Sequence, residues 1–169
     1  MRPFLPYRTV QTLGLRYAAA RLGIDLDESQ ETALADALPT WKPWGETIPT
    51  LTRLREDGWK LAILTNSDKV SIDKTLTEPM PFAFDDVIAA DEVESYKPEF
   101  GHFEEFGRRH DPALWIHIGL SIFHDVRPIH RVGHRGILID RDQDRPHADE
   151  ADASLSSLTL LPEALKALV

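Results

Sequence analysis

The sequence contains no cysteine, which excludes disulfides, thiolate metal sites and a cysteine nucleophile. It contains no apolar run near the ~20 residues that a membrane span needs. The amino-terminal stretch MRPFLPYRTV also lacks the apolar core of a secretory signal. A cytoplasmic protein with no membrane partner is therefore expected. Positive charge is scarce: 19 Lys and Arg stand against 28 Asp and Glu, a net charge of -9. That balance disfavours a phosphate-backbone contact surface, so nucleic acid is not an expected partner. A small anionic substrate stays compatible with it, because local groups set the field inside a cleft. Neither GxGxxG nor a P-loop occurs, and no internal repeat or low-complexity segment is visible. The 42% hydrophobic and 28% charged composition is that of a globular chain.

The stretch WKLAILTNSD organises what is present. Residues 60–64 read as a buried strand that ends in Thr65, Asn66 and Ser67, with a helical segment following at residues 68–76. Polar side chains released there sit at the carboxyl edge of a parallel sheet, beside helix N–H groups that attract anions. A plain helix cap explains the same cluster equally well.

Before this stretch the pattern is helical. Val10, Leu13, Tyr17 and Ala20 predict a helix over residues 8–22, ended by Gly23. Asp27 and Gln30 have capping-box spacing and predict a second helix from Asp27. Pro39, Pro43 and Gly45 then break the chain, giving a predicted boundary between a helical part, residues 1–45, and a core, residues 46–169. Beyond it, strand and helix alternate. Strands are predicted at 60–64, 84–92, 114–119, 136–141 and 158–160, and helices at 47–57, 68–76, from Pro98 through Phe100, Phe103 and Phe106, at 125–132 and at 162–168. This alternation predicts an α/β fold with a Rossmann-like, doubly wound parallel sheet.

Three strand ends release polar groups that could converge: Thr65-Asn66-Ser67, Lys97 before Pro98, and Ser121 with Asp125 after LWIHIG. A hydroxyl, a lysine and a carboxylate on one edge suit an anionic substrate attacked by a carboxylate nucleophile. Each has an ordinary alternative: Lys97 as a solvated loop lysine, Asp125 as a helix N-cap. His130 and His134 share helical spacing, but Gly133 intervenes and no third ligand is evident, so no metal is expected there. Arg8 and Arg16 read as a solvated helix face rather than as cap residues reaching a substrate carboxylate, and Trp41 and Trp44 as packing at the predicted boundary rather than as ligand contacts.

The order ILTNSD, YKPE and HIGLSIFHDVRPIHRVGHRGILIDR resembles motifs two, three and four of the haloacid dehalogenase superfamily of hydrolases, in its 2-haloacid dehalogenase branch. The likeness runs from about Leu38 to the carboxyl terminus, and the two amino-terminal helices are similar to part of that family's helical cap. The resemblance implies a hydrolase in which Thr65, Lys97 and Asp125 are catalytic, with Asn66, Ser67 and Ser121 binding a small anionic substrate. It implies no cofactor, with Mg²⁺ arising only under a phosphatase alternative. A homodimer is the open option for assembly.

Three departures qualify it. The family's first motif, a strand ending in a nucleophilic Asp (DxDGT-like), has no counterpart here. Asp25-Leu26-Asp27 lies between predicted helices, and Asp140-Arg141-Asp142 falls too late in the fold order. Leu120 stands where phosphatase members carry an acidic residue, and Phe103 where dehalogenases place a tyrosine. In the family the first-motif strand lies between those of WKLAILTN and LWIHIG. Here those two must pair directly, recruit another segment or chain, or leave a defect. A shortened reading frame is the expected reason, and the chain alone is expected to be inactive. The competing expectation is a non-catalytic remnant that binds a small anion or a partner protein.

Overall fold

The computed structural model describes residues 3–110 and 114–169, so residues 1–2 of the proline-containing lead-in lie outside the described residues. The chain opens with α1 (Tyr7–Leu22), which ends at Gly23 in a left-handed conformation (φ 68°). Only glycine adopts that conformation without steric cost. The Asp27–Gln30 pair forms: the Gln30 side chain accepts from the Asp27 N–H and Asp27 accepts from the Gln30 N–H. It closes a turn rather than opening a helix, and the predicted second helix is reduced to α2 (Ala33–Ala37). Arg8–Asp36 and Arg16–Glu31 ion pairs join α1 to this stretch, so these arginines are engaged rather than solvated alone.

The core then alternates as the pattern predicts. Helix α3 (Thr47–Glu56) leads to β1 (Ala62–Thr65), α4 (Lys69–Thr77), β2 (Asp86–Ala89) and the single turn α5 (Ala90–Val93). Helix α6 (Gly101–His110), β3 (Ile116–Gly119), a wide π-type turn (Ile122–Val126) and α7 (Arg127–Arg131) follow. The chain closes with β4 (Arg135–Ile139), β5 (Ala153–Leu155) and α8 (Leu161–Leu168). The expected strand at 158–160 is a 3-10 turn, capped where the Ser157 side chain accepts from the Thr159 N–H. The strand lies earlier, because Ile139 pairs with Leu155 in the β4–β5 ladder.

All strand pairs are parallel, but they form two sheets, β1-β2 and β3-β4-β5. Of the outcomes open for the WKLAILTN and LWIHIG strands, the structure shows the unpaired one: β1 and β3 are not joined. Helices cover both faces. Leu54 of α3 and Leu161 and Leu165 of α8 pack with Ile137 and Ile139 on one side. Phe103 of α6 and Ile129 of α7 pack with Leu64, Ile88 and Trp115 on the other. Strand β4 is buried on both faces, which explains its unbroken Gly-Ile-Leu-Ile run. Among the described residues, no helix is long and apolar enough to cross a membrane.

Candidate active site

Strand ends β1 and β3 both release their chains toward Lys97. Asn66, just past β1, fixes the lysine's backbone from both sides: its Oδ1 accepts from the Lys97 N–H at 2.7 Å and its Nδ2 donates to the Lys97 carbonyl at 3.1 Å. The side chain, only 12% exposed, donates from Nζ to Asp125 Oδ1 at 2.6 Å. Asp125 sits inside the π-type turn after β3, and it is not the N-cap; Ser121 caps that turn instead. The Ser121 N–H donates to Asp125 Oδ2 at 3.1 Å, and buried His117 of β3 donates from Nε2 to Oδ1 at 3.2 Å.

Gly119 makes this packing possible. A β-carbon there would fall 2.5 Å from Asp125 Cβ and closer still to its carboxyl group. Burial works to raise the Asp125 carboxyl, yet the His117 hydrogen bond and the Lys97 charge outweigh it and hold the group well below the usual carboxylate range. Burial in turn pushes the His117 imidazole down, against the pull of Asp125. The result at neutral pH is an ion pair braced by a neutral imidazole.

The remaining predicted residues take different positions. Thr65 Oγ1 accepts from the Ser67 N–H at 3.1 Å, and the Thr65 carbonyl accepts from His102 Nε2 at 2.8 Å. The Ser67 carbonyl accepts from the Ala90 N–H, tying that residue toward β2 and α5. The Ser121 hydroxyl is engaged with His124, so this residue reaches the ion pair through its backbone alone. The structure thus joins Lys97 and Asp125 directly, attaches Asn66 and Ser121 to them, and places Thr65 and Ser67 one step back along the β1 turn.

Two residues here escape sequence reasoning, His102 and His117. The signal for His117 is faint: an imidazole between two isoleucines in an otherwise apolar strand. His102 is fully buried beside Phe103, and its Nδ1 has no hydrogen-bond partner. His130 bonds Asp152 at 2.8 Å, while His134 stacks near Trp115, so the helically spaced pair is spent separately. Phe103 is buried against Trp115 and His117. Leu120, which lines the cleft, and Phe123, which packs edge-on against His124, are both more than half exposed. Trp41 and Trp44 are exposed, and Trp44 carries the Arg141 guanidinium 4.4 Å above its ring.

The ion pair closes one end of a cleft of about 960 Å³ between β1 and β3. One wall comes from Leu54 and Leu161, the other from Phe106 and Trp115, and Lys97, Gly119 and Asp125 lie at its head. Most of the lining is apolar, with Lys97 and Asp125 at its head and Lys60, Asp85 and Asp86 toward its other end.

Comparison with known proteins agrees with this architecture. Residues 6–133 match the model of the haloacid dehalogenase-like hydrolases. The chain is 32% identical over 100 residues to an (S)-2-haloacid dehalogenase of Pseudomonas sp. (strain YL), covering 59% of this chain and 43% of that protein. It is 27% identical over 122 residues to haloacetate dehalogenase H-2 of Moraxella sp. (strain B), covering 69% of this chain and 54% of the relative. The chain thus spans about half the length of these relatives. In fold it is similar to the L-2-haloacid dehalogenase of Xanthobacter autotrophicus, with a TM-score of 0.85 at 17% identity over 98% of this chain and 78% of the other. It is also similar to a HAD phosphatase of Thermococcus onnurineus, with a TM-score of 0.68 at 27% identity over 94% of this chain and 78% of the other. With its α/β core, its strand-end site and a family match over residues 6–133, this chain belongs to the haloacid dehalogenase-like hydrolases.

Proposed function

We propose that this chain carries the charge-stabilising part of a hydrolase site for small 2-haloacids. The observation that supports it is the Lys97–Asp125 pair, 2.6 Å apart at the head of an apolar cleft. Lys97 neutralises negative charge that gathers where a carboxylate nucleophile meets an anionic substrate. Asp125 holds the ammonium in place, and Asn66 fixes the backbone that carries it. Leu120, at the cleft, offers an apolar surface to the alkyl part of the substrate. A structure of the Xanthobacter autotrophicus enzyme with chloropropionic acid covalently bound fits a reaction in which a carboxylate displaces halide and water then hydrolyses the ester.

Asp125 is not that nucleophile. It is engaged by Lys97, His117 and the Ser121 N–H, and among the described residues it is the only carboxylate within ion-pair distance of Lys97. The 169-residue chain is therefore expected to release no halide from 2-chloropropionate by itself. Ion chromatography tests this, and halide release above the buffer rate that Lys97→Ala abolishes would overturn it. Leu120 weighs against a metal-dependent phosphatase, since it offers no oxygen to a hard cation at the mouth of the site.

A further inference from the structure

His117 lines the cleft together with Lys97 and Asp125, and its hydrogen bond ends on the same atom as the lysine's. Asp125 Oδ1 accepts from Lys97 Nζ at 2.6 Å and from His117 Nε2 at 3.2 Å, while Oδ2 is taken by the Ser121 N–H. Two donors thus compete for one oxygen, and Lys97 holds the shorter contact. His117 Nδ1 has no hydrogen-bond partner among the described residues, and it is not sealed off as His102 Nδ1 is, so a proton can reach it from the cleft.

The charges at this end of the cleft give the competition a consequence. With a neutral imidazole, the Lys97 ammonium and the Asp125 carboxylate cancel, and the head of the cleft presents no net charge to an anion. A proton on His117 leaves one positive charge in excess at a weakly screened site, and it strengthens the competing contact to Asp125 Oδ1. The ammonium is then free to turn from the carboxylate toward a bound anion. Among the described residues, no other titratable group is placed to do this. Helix α6 presents to His117 the Phe103 ring and His102, which is bonded to the Thr65 carbonyl. Strand β1, Ala62–Thr65, carries no titratable side chain, and the register partner on β4 is Gly136. His124 of the π-type turn is bonded to Ser121, and His110, elsewhere in the cleft lining, is bonded to Asp86.

We propose that His117 is a positioning residue that couples anion binding at Lys97 to the uptake of a proton. Protonated, it takes over Asp125 Oδ1 and releases the Lys97 ammonium to the anion; neutral, it leaves the ammonium held by the carboxylate. By linkage, an anion at the head of the cleft makes His117 a better base, and affinity rises as pH falls through the imidazole range. This coupling rests on Lys97 being the anion-holding group, and a Lys97→Ala control distinguishes the failure of one from the failure of the other.

The test is calorimetric titration of the full chain with 2-chloropropionate at pH 5.5 and pH 8, in buffers of different ionisation enthalpy. The probe is a stronger acid than an ordinary carboxyl of about 4, so it stays ionised throughout. An anion beside an imidazole raises its proton affinity about tenfold, so binding is expected about threefold tighter or more at pH 5.5. Proton uptake should appear as a binding heat that depends on the buffer. His117→Gln keeps a donor for Asp125 and cannot be protonated, so the pH dependence and the uptake should both vanish. Imidazole NMR of the unsubstituted chain reads the same coupling independently: the His117 titration should move to higher pH when 2-chloropropionate is saturating. Binding that Lys97→Ala abolishes, but that shows neither pH dependence nor proton uptake, would overturn the coupling and leave the anion site standing. A pH dependence retained in His117→Gln, or a His117 titration that the anion does not move, would overturn it equally. No binding at either pH would overturn both.

Discussion

Replacing Lys97 by methionine tests how the charge at the head of the cleft is held. The substitution keeps the length of the apolar stem and removes only the ammonium. Lys97 and Asp125 expose 12% and 9% of their side chains, so the pair is screened little by solvent. Removing one partner of a buried pair typically costs about 3–5 kcal/mol, because the other charge stays buried and uncompensated. Here Asp125 keeps the His117 hydrogen bond at 3.2 Å and the Ser121 N–H at 3.1 Å. The expected loss is therefore at or just below the lower end of that range, about 2–3 kcal/mol. His117 also offers a signature. Without Lys97 nearby, its imidazole gains from taking a proton, so the penalty should be smaller at pH 5.5 than at pH 8. Urea denaturation followed by far-UV circular dichroism measures both, and Lys97→Met with Asp125→Asn should recover most of the loss, completing a double-mutant cycle. A loss below about 0.5 kcal/mol at both pH values, or no coupling in the cycle, would refute the reasoning.

Two further outcomes follow from the same geometry. Gly119→Ala places a β-carbon against the Asp125 side chain and should cost about 1–3 kcal/mol while breaking the Lys97 contact; a thermal melt and a crystal structure of the variant check both. Burial pushes His102 down to about 4, so the folded state resists a proton that the unfolded chain accepts near 6.5. Stability from this group is complete above pH 6.5 and lost as pH falls toward 4, by about 3 kcal/mol, with His117 acting in the same direction. Urea midpoints between pH 7 and pH 4.5 should show that slope, and His102→Gln should flatten it.

Much of the fold is legible in the chain because burial leaves periodic marks. The Gly-Ile-Leu-Ile run of β4 and the helical spacing of α1 and α3 are such marks. Local signals misled where tertiary contacts decide. Leu158-Thr159-Leu160 looks more like a strand than Ala153-Ser154-Leu155, yet the ladder to β4 selects the latter. The Asp27–Gln30 pair forms its bonds as its spacing suggests, but the residues after it make only turns before Ala33. At the site, the meeting of Lys97 and Asp125 is legible because both leave the carboxyl ends of parallel strands or the turns beside them. His117 is not, since an imidazole inside an apolar strand carries no spacing of its own. Nor does sequence reveal that Ser121 contributes its backbone while its hydroxyl turns to His124. The two unpaired edges depend on strand order, which no local sequence pattern encodes.

The most direct measurement is a calorimetric titration of 2-chloropropionate into the chain and into its Lys97→Ala variant. Saturable binding to the first and its loss in the second would support an anion site governed by the Lys97 ammonium. Equal binding by both proteins, or none by either, would contradict it.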